Sequence, residues 1–285
     1  MRTPAIESLA HQVRTLMTLG RHQQATARPS LILTGPATTG KTTALLQVRR
    51  TCHLAHTRLT APGDNQVPVA HILVPPGATA KTLAAEFAPY LAIPVATRIT
   101  TAQTTTTICH TYTTADVTLV LINEIHQLNP HTPSSTKAAD RINDLTEHIG
   151  PTLDYAGIDA TASPVLSGVR NAQLAGRASL IDCGAQPANA GHHEPFRELI
   201  TALEAALDLT THRPGTLPRP APYLHERTTG HIGSLSRLIR QAAIETICDG
   251  TEHITKTLLD TIALDHLAEE HYQPRAPARQ TRTDR

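Results

Sequence analysis

The stretch Gly35, Pro36, Ala37, Thr38, Thr39, Gly40, Lys41, Thr42, Thr43 ("GPATTGKTT") follows the apolar run "LILT" and opens the helical pattern "KTTALLQVRRTCHLA". It fits GxxxxGK[ST] without a gap, in the order strand, turn, helix. The glycines let the backbone turn so that its N–H groups point at phosphate oxygens. Lys41 would reach the β and γ phosphates, Thr42 would ligate Mg²⁺, and the following helix offers its positive end. A chain built around this loop is expected to be an α/β protein that binds ATP and Mg²⁺.

The rest of the pattern agrees. "VAHILV" (Val69 to Val74), "VTLVLI" (Val117 to Ile122), "TLDYAGID" (Thr152 to Asp159) and "ASLIDCG" (Ala178 to Gly184) read as further strands. The third of the five strands is apolar throughout, as a buried parallel strand should be. Helical segments are expected at Ile6 to Leu19, after the breaker "PPG", near Ser135 to Ile149 and at Val165 to Ala175. The Thr-rich stretch at Thr100 to Thr107 reads as compositional bias in a loop. Strands alternating with helices predict a three-layer domain with a parallel sheet.

After "GAQPANAGHH" the pattern turns helical: "PFRELITALEAALDL", "IGSLSRLIRQAAIETICDG" and "ITKTLLDTIALDHLAEEH" are amphipathic, and the Pro-rich "THRPGTLPRPAPYL" separates the first two. The expected division is an N-terminal helical segment over 1–28, a P-loop core over 29–190, a helical lid over 191–271 and a basic, disordered tail over 272–285.

A strand of this kind commonly ends in an aspartate beside the metal, followed by a glutamate that polarises the attacking water. "LVLINE" supplies the strand and Glu124, but Asn123 stands in the aspartate's place. An amide keeps the shape and one acceptor oxygen while removing a negative charge near a divalent cation. Mg²⁺ would be held by Thr42 and Asn123 with less charge than usual, so hydrolysis is weakened but not excluded.

Composition narrows the partners. The 285 residues carry 25 basic and 24 acidic side chains, for a formal charge of +1. No global field draws the chain to nucleic acid or membrane, and DNA binding would need a local patch. Aromatics make up 2% and Trp is absent, against a base-stacking platform. No run approaches the ~18 apolar residues of a membrane span, and the N-terminus lacks a signal-peptide core. Cys52, Cys109, Cys183 and Cys248 lie far apart, consistent with reduced thiols in a cytoplasm. The 17 histidines form no paired ligand set.

"GPATTGKTT", "LINEIHQL", "YAGIDATASPVLSG" and "TTGHIGSLSRLIRQAAIETICDGTEHIT", in this order, resemble the TniB/TnsC-type AAA+ ATPases of DNA transposition, over roughly Ser30 to Leu267. Asn123 departs from the family's usual aspartate. The resemblance implies an ATP-dependent regulator that forms a ring or filament on double-stranded DNA and directs a DDE transposase, with a TniQ-type targeting protein, to target sites. It implies a polar sensor at Asp159, with Thr161 as the alternative. It implies a trans-acting arginine at Arg177, or else Arg170, and a lid sensor at Arg237. A DNA-facing patch would comprise Lys81, Arg98 and the Thr-rich loop. His126 would position the nucleotide-side loop or make a local hydrogen bond. Two other readings stand beside this one. Asn123 would suit a scaffold that binds nucleotide without turning it over, and a replication initiator or loader would share the AAA+ core, though no winged-helix pattern is visible after Gln273.

Overall fold

The structure is a computed structural model; it describes residues 4–22, 28–58, 66–88, 101–128, 131–166, 172–186 and 193–272. Contacts divide the chain into two compact units, Arg2–Gly184 and Ala185–Arg285.

The first unit holds a five-stranded parallel sheet of β1 (Ser30–Thr34), β2 (Val69–Leu73), β3 (Leu119–Asn123), β4 (Thr152–Ala156) and β5 (Ala178–Asp182), in the order β2-β3-β4-β1-β5. Alternation along the strands sorts side chains to two faces. Leu31, Leu33, Leu119, Leu121 and Ala156 pack under α1 (Pro4–His22) and α2 (Lys41–Thr57). Ile32, Ile72, Val120, Ile122, Leu153 and Tyr155 meet α3 (Ala80–Phe87), α4 (Thr101–Thr114) and α5 (Pro133–His148) on the other face. The outcome is the expected three-layer α/β sandwich. A short helix, α6 (Ala172–Arg177), leads into β5.

Several local readings are corrected. The Thr-rich stretch is largely the helix α4, not a loop. Its anchor is Ile108 and Tyr112, both buried against the sheet. The threonine hydroxyls bond back to carbonyls one turn earlier, Thr107 to Gln103 O at 3.0 Å and Thr111 to Thr107 O at 2.8 Å, so they do not compete with the helix from outside. The fourth strand stops at Ala156, and the chain turns at Ile158 and Asp159. Val165 and Leu166 are buried in a turn rather than opening a helix. Arg98, Arg170 and the tail after Tyr272 fall outside the described residues.

The second unit packs α7 (His193–Ala205), α8 (Ala221–Thr228), α9 (Ile232–Cys248), α10 (Lys256–Thr261) and α11 (His266–His271) around Phe196, Leu224, Leu235, Leu238 and Ile239. The Pro-rich link runs directly into α8, a helix absent from the sequence reading. The last amphipathic segment is two short helices, not one. Arg227 donates to Ile262 O at 2.7 Å and Glu269 accepts from Leu264 N–H at 2.7 Å, pinning the joint in extended form. Asp265 then caps α11 by accepting from Ala268 N–H.

Candidate nucleotide site

β1, β3 and β4 run parallel and adjacent, so the loops after them gather at one end of the sheet. The loop after β1 carries three left-handed residues, Gly35 (φ 145°), Thr38 (φ 61°) and Gly40 (φ 88°). A Cβ on Gly35 would stand 2.4 Å from the Cys183 carbonyl oxygen, so only glycine lets the loop cross the end of β5. Around Gly40 nothing lies within 4 Å of where a Cβ would be, leaving the cradle open. Lys41 is buried, and its ammonium donates to Gly35 O at 2.8 Å and to Pro36 O. Burial lowers the Lys41 pKa, and the nearby Cys183 and Glu124 oppose that shift. A buried lysine bent over its own loop, beside an open left-handed turn, is the arrangement that a polyphosphate requires.

Asn123 ends β3, buried, and its amide donates to Thr42 Oγ1 at 3.4 Å. The two residues named for the metal are therefore in contact. The donor set is one hydroxyl and one amide, which suits a Mg²⁺ ion that keeps waters and phosphate oxygens as its other ligands.

Glu124 follows in a left-handed conformation (φ 64°), and its charge is felt at Lys41. His126 Nε2 lies 3.3 Å from Glu124 Oε2. The other ring nitrogen, Nδ1, accepts from the Ile158 backbone N–H at 3.2 Å. That bond requires a lone pair on Nδ1, so the neutral ring carries its proton on Nε2 and donates it to Glu124. Gly157 permits this approach, since a Cβ there would meet Ile125 and His126 at 3.1–3.3 Å. Asp159 (φ 44°) is exposed at the tip of the same turn, with Thr161 Oγ1 donating to it at 3.4 Å. Thr34 Oγ1 accepts from Ala160 N–H at 3.0 Å, tying the turn to the end of β1.

The structure thus gathers the 35–43 loop, Asn123, Glu124 and Asp159 at one end of the sheet. Arg177 ends α6 and is exposed at the start of β5, the opposite end. Arg237 is exposed on α9 of the second unit, and Lys81 is exposed on α3. The sequence reading missed Thr34, Ile158 and the Cys183 carbonyl. Ile158 and Cys183 act through backbone groups, and Thr34 through a hydroxyl that meets a backbone N–H distant in sequence, so none leaves a residue pattern.

The architecture, a parallel sheet of order β2-β3-β4-β1-β5 between helical layers, is shared by solved structures. Aeropyrum pernix ORC1, solved in complex with DNA, aligns over 90% of this chain and 63% of its own at TM-score 0.64 and 17% identity. Pyrobaculum aerophilum Cdc6p aligns over 89% and 65% at TM-score 0.63 and 16% identity. Aeropyrum pernix ORC2 in its ADP form aligns over 91% and 68% at TM-score 0.64 and 15% identity. The chain therefore spans less than two thirds of the ORC1 chain. No curated protein matches it. The model of the bacterial TniB protein family matches residues 2–177, and the chain belongs to that family.

Proposed function

We propose that this chain is an ATP-dependent regulator of DNA transposition that assembles on double-stranded DNA and brings a DDE transposase, with a TniQ-type targeting protein, to target sites. The observation that carries the nucleotide part is the convergence of buried Lys41, Thr42 with Asn123, and Glu124 beneath an open glycine turn. Membership of the TniB family supports the transposition part, and the likeness to ORC1, solved in complex with DNA, suits DNA as partner.

ATP with Mg²⁺ would supply the phosphoanhydride and the charge that neutralises it. Lys41 and the loop amides bind the phosphates, and Thr42 and Asn123 hold the ion. Glu124, kept in place by His126, orients a water and takes its proton. Asp159 lies within the same cluster and reads the γ-phosphate. Arg177, remote from its own loop, acts on the site of a neighbouring copy, so that ATP joins two subunits; Arg237 is the candidate for a second sensor. The chain works in the cytoplasm.

A second reading follows from Asn123. The neutral amide on Thr42 favours a scaffold that holds nucleotide and releases it without turnover.

Negative-stain imaging with duplex DNA tests the proposal. Rings or filaments are expected with ATP or a non-hydrolysable analogue and few with ADP. The same particles in every state would refute it.

A further inference from the structure

The outer edge of β2 carries features that the nucleotide site does not use. β2 pairs with β3 on one side, and among the described residues no strand lies on its other side. Along a strand, the N–H and C=O of each residue point to one side, alternating from residue to residue. Val74 N–H donates to Asn123 O at 3.0 Å, and Pro68 O accepts from Leu119 N–H at 3.1 Å. The even-numbered residues therefore face β3, and the backbone groups of Val69, His71 and Leu73 face outward. Pro68 and Pro75 close this short open edge at both ends, a common way to limit unspecific pairing.

Between that edge and α2 runs a groove of about 330 Å³, lined by Leu46, Arg49, Arg50, His53, Val67 and Val69. Three of the six are basic residue types, three are apolar, and none is acidic. Leu46 is 44% exposed and Leu73, at the end of β2, is 52% exposed. A single exposed leucine needs no explanation, but two beside an open strand and a cationic wall form a surface suited to contact. His71, on the same face of β2 as Val69, has a buried Nε2 without a hydrogen-bond partner among the described residues.

We propose that the open edge of β2 and the groove along α2 receive an extended acidic peptide segment of a partner protein, added as a further parallel or antiparallel strand. Main-chain hydrogen bonds to Val69, His71 and Leu73 would give affinity. Acidic side chains on alternate positions would point to the α2 face and meet Arg49, Arg50 and His53, their methylene stems lying over Leu46 and Val67. Duplex DNA could pair its phosphates with the two arginines, but it offers no row of N–H and C=O groups and nothing to cover the apolar wall. The proposal does not depend on ATP turnover.

Fluorescence anisotropy on the full chain provides the test, with a short labelled peptide of alternating glutamate and valine as probe. Saturable binding is expected. It should weaken about tenfold in the Arg49→Glu, Arg50→Glu double variant, and equally when alternate valines of the peptide become proline or its glutamates become lysine. Circular dichroism of the double variant must match wild type; Arg50→Gln alone, exposed and conservative, serves if it does not. No binding overturns the proposal. Equal binding of the proline peptide would leave charge alone at work and also overturn it. So would a short DNA duplex that binds in an Arg50-dependent way while the peptide does not.

Discussion

Asp154 offers a quantitative check on the packing of the sheet. It stands at the centre of β4 with its Cα opposite Leu31 of β1 and Leu121 of β3, fully buried under the α1–α2 layer. Among the described residues neither carboxyl oxygen has a hydrogen-bond partner. Arg14 is near enough to influence the neighbouring Cys52, but its Nε is committed to Ala10 O. Burial pushes the Asp154 pKa from 3.8 up to about 8, so the folded state holds a proton that the unfolded chain releases. The raised value sets the sign. Stability from this group is complete below about pH 4 and is lost as pH rises to about 8. At 1.36 kcal/mol per unit, the roughly four units between the two values give about 5–6 kcal/mol. Relaxation around an ionised carboxylate reduces this, and about 3 kcal/mol at pH 8 is the working expectation. Asp154→Asn keeps the shape and removes the titration. Urea unfolding followed by circular dichroism should show the variant gaining on wild type from pH 5 to 8, with the gap constant above that. A gap independent of pH would refute the reasoning.

Two further substitutions probe the site. Asn123→Asp should restore charge beside Thr42 and raise ATP turnover or lower the Mg²⁺ needed for it, whereas Glu124→Gln should abolish turnover and leave nucleotide affinity unchanged; full-rate hydrolysis by the latter would remove Glu124 as the base. For His126 the two ring nitrogens can be separated. His126→Asn keeps an acceptor for Ile158 N–H but cannot reach Glu124, and His126→Gln keeps a donor for Glu124 but not the acceptor. Each should lower kcat about tenfold without altering KM, as steady-state kinetics would show; full activity in either means that half of the bridge is dispensable.

The phosphate loop was legible because strand, turn glycines and helix are contiguous, and each needs only local physics. β3 was legible from four consecutive buried apolar positions, Leu119 to Ile122. β4 was partly so, since an acid at its centre gives no sign in one dimension of being flanked by two leucines. The Thr-rich stretch misled because threonine disfavours helix intrinsically, while two anchors spaced four apart, Ile108 and Tyr112, decide the matter through burial. The bridge from Glu124 through His126 to Ile158 depends on β3 and β4 being neighbours. That adjacency belongs to the strand order, which no local pattern encodes.

The account rests on a nucleotide held by the loop that closes over Lys41. Titration calorimetry of a non-hydrolysable ATP analogue with Mg²⁺ into wild type and Lys41→Ala tests this most directly. Removing a buried charge-assisted donor to phosphate is worth about 3 kcal/mol, so the variant should bind at least about a hundredfold more weakly. Equal affinity in the two proteins would contradict the central claim.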